Sequence, residues 1–248
     1  MENKFHPQQR TFAIWETIGE AWELIGGSKW PIWAIAILIF VAFVVVQTII
    51  LFIFGIDLQN PPMLYAYLIM QCITNIGIAP FVGGATMLGI KRARGETITP
   101  RSGYQYFHKT IPLMITLLII AVLANIINYI VHLPAIVIAV GLHTGWLDLI
   151  ANIIFLLVYT FLLLSVPLVI DKNLPPLTAL KMSFDIIKHC WFKVLVLIII
   201  VWLFFIIAAI PFFVGSMIHP YARLLGWIIF IIALVWLIPL LSLITGIL

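Results

Sequence analysis

The amino-acid sequence predicts an all-α polytopic membrane protein: a bundle of six transmembrane helices with amphipathic helices on its cytoplasmic face. Of the 248 residues, 64% are hydrophobic and only 9% are charged, whereas a soluble domain is about half apolar and about a quarter charged. The net charge is only +4. This composition excludes a soluble globule, a disordered chain and a nucleic-acid-binding face, because too few charges are present to solvate the chain or to build a basic surface.

Six apolar stretches are long enough to cross a membrane as helices, which takes about 20 residues. They cover residues 30–54, 64–90, 111–133, 149–170, 194–214 and 224–246. Only helices and closed barrels satisfy the backbone in lipid, and the alternation typical of barrel strands is absent. We therefore expect six helical spans in a single integral membrane domain over residues 1–248.

Basic residues indicate the orientation of these spans. Segments 1–29, 91–110 and 171–193 hold 12 of the 13 Lys and Arg residues, and Arg223 is the exception. Because Lys and Arg flanking the spans remain inside the cell, both termini are predicted to be cytoplasmic. Cys72 and Cys190 then lie at different depths, too far apart for a disulfide.

A short amphipathic segment precedes each odd-numbered span. The first covers residues 11–27, and its apolar stripe at helical spacing consists of Ile14, Trp15, Ile18, Trp22 and Ile25. Helices of this kind lie in the headgroup plane of a bilayer. One interfacial helix followed by two spans occurs three times, which predicts a threefold internal repeat.

Charged side chains on these segments are candidates for docking a partner protein or lipid headgroups. They are Glu16, Glu20, Glu23, Lys91, Arg92, Arg94, Lys181 and Lys188. Because an anionic lipid surface repels an acidic helix, the glutamates are expected to meet Lys91, Arg92 and Arg94, or a partner. The alternative is that the interfacial helices only anchor the spans.

Polar side chains inside the spans gather on the outer side of the first four spans. The candidates are Gln47, Gln71, Asn75, Asn125, Asn128, His132 and Asn152. They predict a polar pocket that opens outward, and the alternative is that they form hydrogen bonds between helices. No Asp, Glu, Lys or Arg lies deep within a span, which argues against ion conduction and proton-coupled transport.

Neither catalysis nor a cofactor is predicted. Ser216 and His219 are near each other but lack an orienting acid. His143 and Asp148 share a loop, but isolated loop histidines are usually solvated, so no metal site is expected. No phosphate-binding loop occurs. The expected partners are membrane lipids or a membrane protein, and not nucleic acid.

Two stretches carry a resemblance to known proteins. Residues 81–96 end a span in a glycine-rich run and an Arg-Gly-Glu turn, and residues 166–191 contain Val-Pro before Asp171, an Ala-x-x-x-Ser spacing and Trp191. Together they resemble a broad group of six-span bacterial inner-membrane proteins of mostly unassigned function, the YciC-like proteins. They are also similar to the membrane domain that accompanies some glycerophosphodiester phosphodiesterases.

This resemblance implies a location in the bacterial inner membrane and a lipid-related role, and it brings no catalytic residues with it. We expect a non-enzymatic accessory or assembly protein for envelope maintenance. The alternative function is a carrier or flippase for an uncharged or amphipathic substrate. Physically, Gly83, Gly84 and Gly89 are expected to let a neighbouring helix approach closely.

Overall fold

The computed structural model describes residues 13–54, 64–137 and 145–248. Within these ranges the chain is helical and contains no β-strand, and six of its segments are long and apolar enough to cross a membrane. The all-α polytopic fold class is therefore confirmed. The α-helices are α1 (Ile14–Leu24), α2 (Lys29–Phe54), α3 (Leu64–Ala93), α4 (Pro100–Tyr104), α5 (Thr110–Val137), α6 (Gly145–Leu162), α7 (Ser165–Lys172), α8 (Pro176–Ile187), α9 (Trp191–Ile218) and α10 (Pro220–Ile247).

These helices extend the predicted spans at several ends. Apolar content alone places the second span at 64–90, but α3 continues through Lys91 and Arg92 to Ala93. The helix predicted at 11–27 is α1, Ile14–Leu24, and residues 11 and 12 lie outside the described part of the chain. A short 3₁₀ helix, Phe107–Lys109, joins α4 to α5.

The fourth span is not the continuous helix that its hydropathy predicts. α6 ends at Leu162 and α7 begins at Ser165, just before Pro167. Proline has no N–H, and its ring clashes with the carbonyl four residues earlier, so Pro167 favours a break at this point. The buried Ser183 of α8 bridges the break: its hydroxyl donates to the Phe161 carbonyl (2.7 Å) and accepts from the Leu164 N–H (3.1 Å).

Helix order and buried positions follow the threefold pattern. From residue 29 to 110, and again from 110 to 191, the first residues of α2, α5 and α9 are 81 apart. Equivalent positions in the three helices are almost completely buried, at Ile32, Leu113 and Val194 and at Ile35, Thr116 and Leu197. The same helix faces therefore turn inward in each unit of one short helix and two spans.

The three units close into a ring. Each short helix packs against the second span of the unit before it: α4 against α3, α8 against α6 and α7, and α1 against α10. The first spans follow the same order, because α5 contacts α3, α9 contacts α6 and α2 contacts α10. The α1–α10 contact joins the two ends of the chain and closes the cycle.

Small residues set the closest helix crossings. A Cβ atom on Gly84 would lie 2.8 Å from the Gly103 carbonyl oxygen of α4, and one on Gly89 would collide with the Ser242 backbone of α10. Gly83 faces Leu113 of α5 at similarly short range. Close approach at the three predicted glycines is confirmed. At Gly84 and Gly89 the neighbouring atoms are backbone, so only a residue without a side chain fits there.

Candidate functional site

Two cavities and one charged surface are the candidate sites. The charged surface lies at the end of the bundle that carries α1, α4, α8 and residues 91–99 and 171–175, which we call the basic end. The other end holds the turn between α9 and α10.

A cavity of about 410 Å³ lies between α3, α5 and α6, and we call it the amide cavity. Its polar lining consists of Gln71, Asn75, Asn125, Asn128, Asn152 and Tyr159. The structure therefore brings five of the seven predicted polar residues together around one space. All five amides lie in the halves of their helices farther from the basic end.

Local sequence explains why these amides share one face. Gln71 and Asn75 are four residues apart on α3, and Asn125 and Asn128 are three apart on α5, spacings that place side chains side by side. The neighbouring lining residues Ala121, Ala124 and Ala151 are small. Amides beside alanines leave open space where larger apolar residues would close the helix contact.

The asparagines use part of their hydrogen-bonding capacity on their own helices. The Nδ2 atoms of Asn75, Asn125 and Asn152 donate to the backbone carbonyls four residues earlier, at 2.8, 2.9 and 2.7 Å. No described residue donates to their Oδ1 atoms, and none of the amides bonds to another helix within the described chain. Among the described residues, the asparagine amides therefore bond within their own helices and do not link one helix to another.

Gln71 is the most constrained polar group of the cavity. Its Oε1 atom is inaccessible to solvent and has no hydrogen-bond partner among the described residues. An unpartnered buried amide oxygen costs about 1–3 kcal/mol.

Two predicted residues lie elsewhere. Gln47 belongs to α2 and does not line the amide cavity. His132 contacts Asp148 instead, with Nε2 3.1 Å from Oδ1, while its Nδ1 lies 2.8 Å from the Asn128 carbonyl oxygen. This contact joins α5 to α6 beyond the cavity. His143 lies outside the described residues.

A second space, which we call the apolar cavity, has a volume of about 510 Å³. It lies in the half of the bundle nearer the basic end, between α2, α3, α9, α10 and the end of α6, and its lining includes Ile32, Val201, Ile238, Leu163 and Tyr159. Trp202, with 60% of its surface exposed, lies at its rim. The sequence contains no signal for this cavity, since its lining residues look like those of any other apolar span.

Tyr159 of α6 borders both cavities. The site is thus a polar space and an apolar space that meet at one side chain. Such an arrangement matches the two parts of an amphipathic molecule.

Arginines at the basic end bind backbone and aspartate rather than the glutamates of α1. Arg92 donates to the carbonyls of Leu24 and Gly26, at 3.2 and 2.5 Å. Arg94 forms an ion pair with Asp171 at 2.8 Å, and this hydrogen bond raises the pKa of the arginine. The Arg94–Asp171 pair joins residues 81–96 to residues 166–191.

The expected contact between the glutamates and these cations is therefore wrong for the described chain. Glu16, Glu20 and Glu23 are exposed and form no ion pair with described residues. The physical reason is that the last carbonyls of a helix lack intrahelical partners and carry partial negative charge. Arg92 satisfies those carbonyls at the end of α1, whereas the glutamates point away from the bundle.

Lysines at this end make local contacts. The Lys91 ammonium lies 5.5 Å from the ring centroid of Tyr106. Lys188 bonds to Asp185 at 2.6 Å and lowers the pKa of that exposed carboxyl. Lys181 is exposed on the same face of α8. These side chains leave a solvated mixed-charge surface.

No known protein family, curated protein or solved structure matches the chain.

Proposed function

We propose that this protein is a non-enzymatic, multi-pass protein of the bacterial inner membrane that binds an amphipathic lipid inside its bundle. Its termini are cytoplasmic, and its role is accessory or assembly work in envelope maintenance. The observation that carries the proposal is the pair of adjacent cavities of opposite polarity that share Tyr159. The proposed orientation rests on the concentration of Lys and Arg in segments 1–29, 91–110 and 171–193.

In a membrane, the two cavities favour different occupants. Empty cavities lined by apolar side chains exclude water, so an acyl chain is the natural occupant of the apolar cavity. The amide cavity needs hydrogen-bonding groups, because unpaired amides are costly in a water-poor surrounding. A single lipid supplies both an acyl chain for the apolar cavity and hydrogen-bonding groups for the amide cavity.

Native mass spectrometry of the full chain, extracted with its surrounding bilayer, tests this proposal. We expect a bound lipid that survives removal of the bulk bilayer. Ala36→Phe, which fills the apolar cavity, should lower lipid retention at least fivefold. Val45→Phe adds bulk to an exposed position of the same helix and serves as the control. Absence of lipid, or equal retention in both variants, would contradict the proposal.

A carrier or flippase is the second candidate function. It is favoured by the different depths of the two cavities and by the break in the fourth span, where Leu163 lines the apolar cavity. A lipid passing from one space to the other would change depth within the bundle. Helix breaks that line cavities are a recurrent feature of transporters.

A flux assay in reconstituted vesicles tests this candidate. Asn128→Leu should abolish transfer of a labelled lipid between leaflets without loss of fold, and Gln47→Leu should leave transfer intact. Transfer that is no faster than in protein-free vesicles would exclude a carrier, while lipid binding would remain possible.

The exposed glutamates of α1 support a further part of the proposal, a docking surface for a membrane partner protein. Glu20→Lys should reduce co-purification of that partner without changing the thermal stability of the protein alone. A loss of stability instead would assign Glu20 a role within the bundle.

A further inference from the structure

The amide cavity specifies the headgroup chemistry of its ligand. We infer that it takes an uncharged, hydroxyl-bearing headgroup, such as that of a glycosylated diacylglycerol, and rejects anionic phosphate headgroups. This inference rests on the proposed lipid binding and adds the substrate class.

The first step is the charge of the lining. Among the described residues that line the amide cavity, none is Lys, Arg, Asp or Glu. The basic side chains Arg92 and Arg94 lie at the basic end, where they bind carbonyls and Asp171. A charged group buried without a counter-charge is strongly disfavoured in hydrocarbon. Phosphate therefore lacks a cation here, and an ammonium group lacks a carboxylate.

The second step is the balance of donors and acceptors. Asn75, Asn125 and Asn152 each donate one side-chain N–H to a backbone carbonyl of their own helix. Each keeps one N–H and a carbonyl oxygen with two lone pairs, so acceptor sites outnumber donors. Gln71 adds an unpartnered buried oxygen.

The third step is the match to a hydroxyl group. A hydroxyl donates one hydrogen bond and accepts others, so it satisfies amide oxygens and amide N–H groups at the same site. An ether oxygen only accepts, and it leaves the amide oxygens unpaired. A volume of about 410 Å³ falls within the usual range of about 300–1,000 Å³ for small-ligand sites. Tyr159, which borders both cavities, then lies at the junction between the headgroup and the acyl chains of the lipid.

The experiment compares three lipids with identical acyl chains: a glycosyl diacylglycerol, the same lipid with its sugar hydroxyls O-methylated, and phosphatidylglycerol. The full-length protein in detergent receives an equimolar mixture, and native mass spectrometry measures how much of each lipid remains bound. We expect at least tenfold preference for the glycosyl lipid over each of the others, equivalent to about 1.4 kcal/mol.

Variants assign the preference to the cavity. Asn152→Leu and Asn125→Leu should bring the ratio close to one, whereas Gln47→Leu, which removes an amide outside the lining, should leave it unchanged. The O-methylated lipid tests the same chemistry in the wild-type protein, so the inference does not depend on a variant that folds.

The outcomes distinguish failure of the headgroup inference from failure of the proposed lipid binding. Equal retention of all three lipids, or an unchanged ratio in Asn152→Leu, would refute the headgroup inference while lipid binding stands. Retention of none of them would refute both the headgroup inference and the proposed lipid binding.

Discussion

Ser183 illustrates how a single hydroxyl connects two units of the fold. It is completely buried on α8, the short helix of the third unit, and it bonds to both sides of the break in the fourth span, which belongs to the second unit. The break leaves the Phe161 carbonyl and the Leu164 N–H without their usual helical partners. The Ala-x-x-x-Ser spacing of Ala179 and Ser183 puts a small residue beside this hydroxyl and lets α8 come close.

Ser183→Ala should destabilise the protein by about 1–2 kcal/mol, because it leaves a buried donor and a buried acceptor unpaired. The measurement is unfolding of the purified protein in mixed micelles with increasing denaturing detergent. Ser216→Ala is the matched control, since among the described residues that exposed hydroxyl bonds only to the Phe213 carbonyl of its own helix. Equal stability of the two variants would show that the bridge is dispensable.

Cys190 provides a second test at the scale of a residue. Its thiol lies at the start of α9, where partial burial raises its pKa and the nearby Lys193 partly offsets that effect. Only the thiolate is nucleophilic. Alkylation of Cys190 by iodoacetamide, measured in a Cys72→Ser background, should therefore be slower than that of free cysteine at pH 8 and should rise steeply at higher pH. A rate equal to that of free cysteine would contradict the burial of this thiol.

At the scale of helices, the α3–α10 crossing depends on the absence of side chains. Gly89 and Gly246 face each other, and a Cβ on either would collide with the backbone of the opposite helix. The Ser242 hydroxyl of α10 also donates to the Ala85 carbonyl of α3 at 3.0 Å. Close backbone contact and a hydrogen bond between helices are the forces that hold membrane helices together.

Gly89→Ala should separate α3 from α10 and destabilise the protein by about 1–3 kcal/mol, the usual cost of overpacking. Gly19→Ala is the control, because a Cβ there meets nothing within 4 Å. Alanine favours a helix by about 1 kcal/mol over glycine, so the control should be neutral or stabilising. A loss of stability in the control comparable to that of Gly89→Ala would argue against the crossing as the cause.

At the scale of the whole molecule, the ring depends on contact between the two ends of the chain. Trp22 of α1 stacks on Trp236 of α10 with ring centroids 5.5 Å apart, and the Lys29 ammonium lies 3.1 Å from the centroid of Trp236. Lys29 begins α2, so a single indole of the third unit holds two helices of the first unit. Stacking and cation–π contacts each contribute about 0.5–2 kcal/mol.

Trp236→Ala should release α1 from the bundle. We expect faster proteolysis within residues 13–28 and a lower unfolding midpoint. Trp15→Ala removes the indole of a residue that is 73% exposed, and it should leave both properties unchanged. If Trp236→Ala behaves like Trp15→Ala, the ring closes through other contacts.

The proposed orientation is a property of the whole molecule as well. In a variant without Cys72 and Cys190, a cysteine placed by Arg101→Cys on the exposed surface of α4 should react with a membrane-impermeant maleimide only after the inner membrane is opened. Labelling of intact spheroplasts would reverse the orientation and place the amide cavity on the cytoplasmic side.

Much of the architecture follows from the sequence because the bilayer acts on each segment separately. Length and hydropathy determine the six spans, and the distribution of Lys and Arg predicts their direction. Helical spacing also places Gln71 beside Asn75 and Asn125 beside Asn128, so the amide faces are predictable from short-range periodicity. If the first four spans are assumed to be neighbours, the sequence also predicts that these amides cluster around one space.

Only the tertiary structure decided how the spans pair and what their side chains contact. Three features depend on which helices are adjacent: the apolar cavity, the Ser183 bridge, and the hydrogen bonds from Arg92 to the α1 carbonyls. For the same reason, the glutamates of α1 do not pair with the cations that the sequence suggested. Apart from the amide faces, the surfaces of the spans are similarly apolar, so hydropathy does not distinguish one helix neighbour from another. In lipid, the shape of the packed surfaces and a few hydrogen bonds between segments far apart in the chain determine which helices pack together.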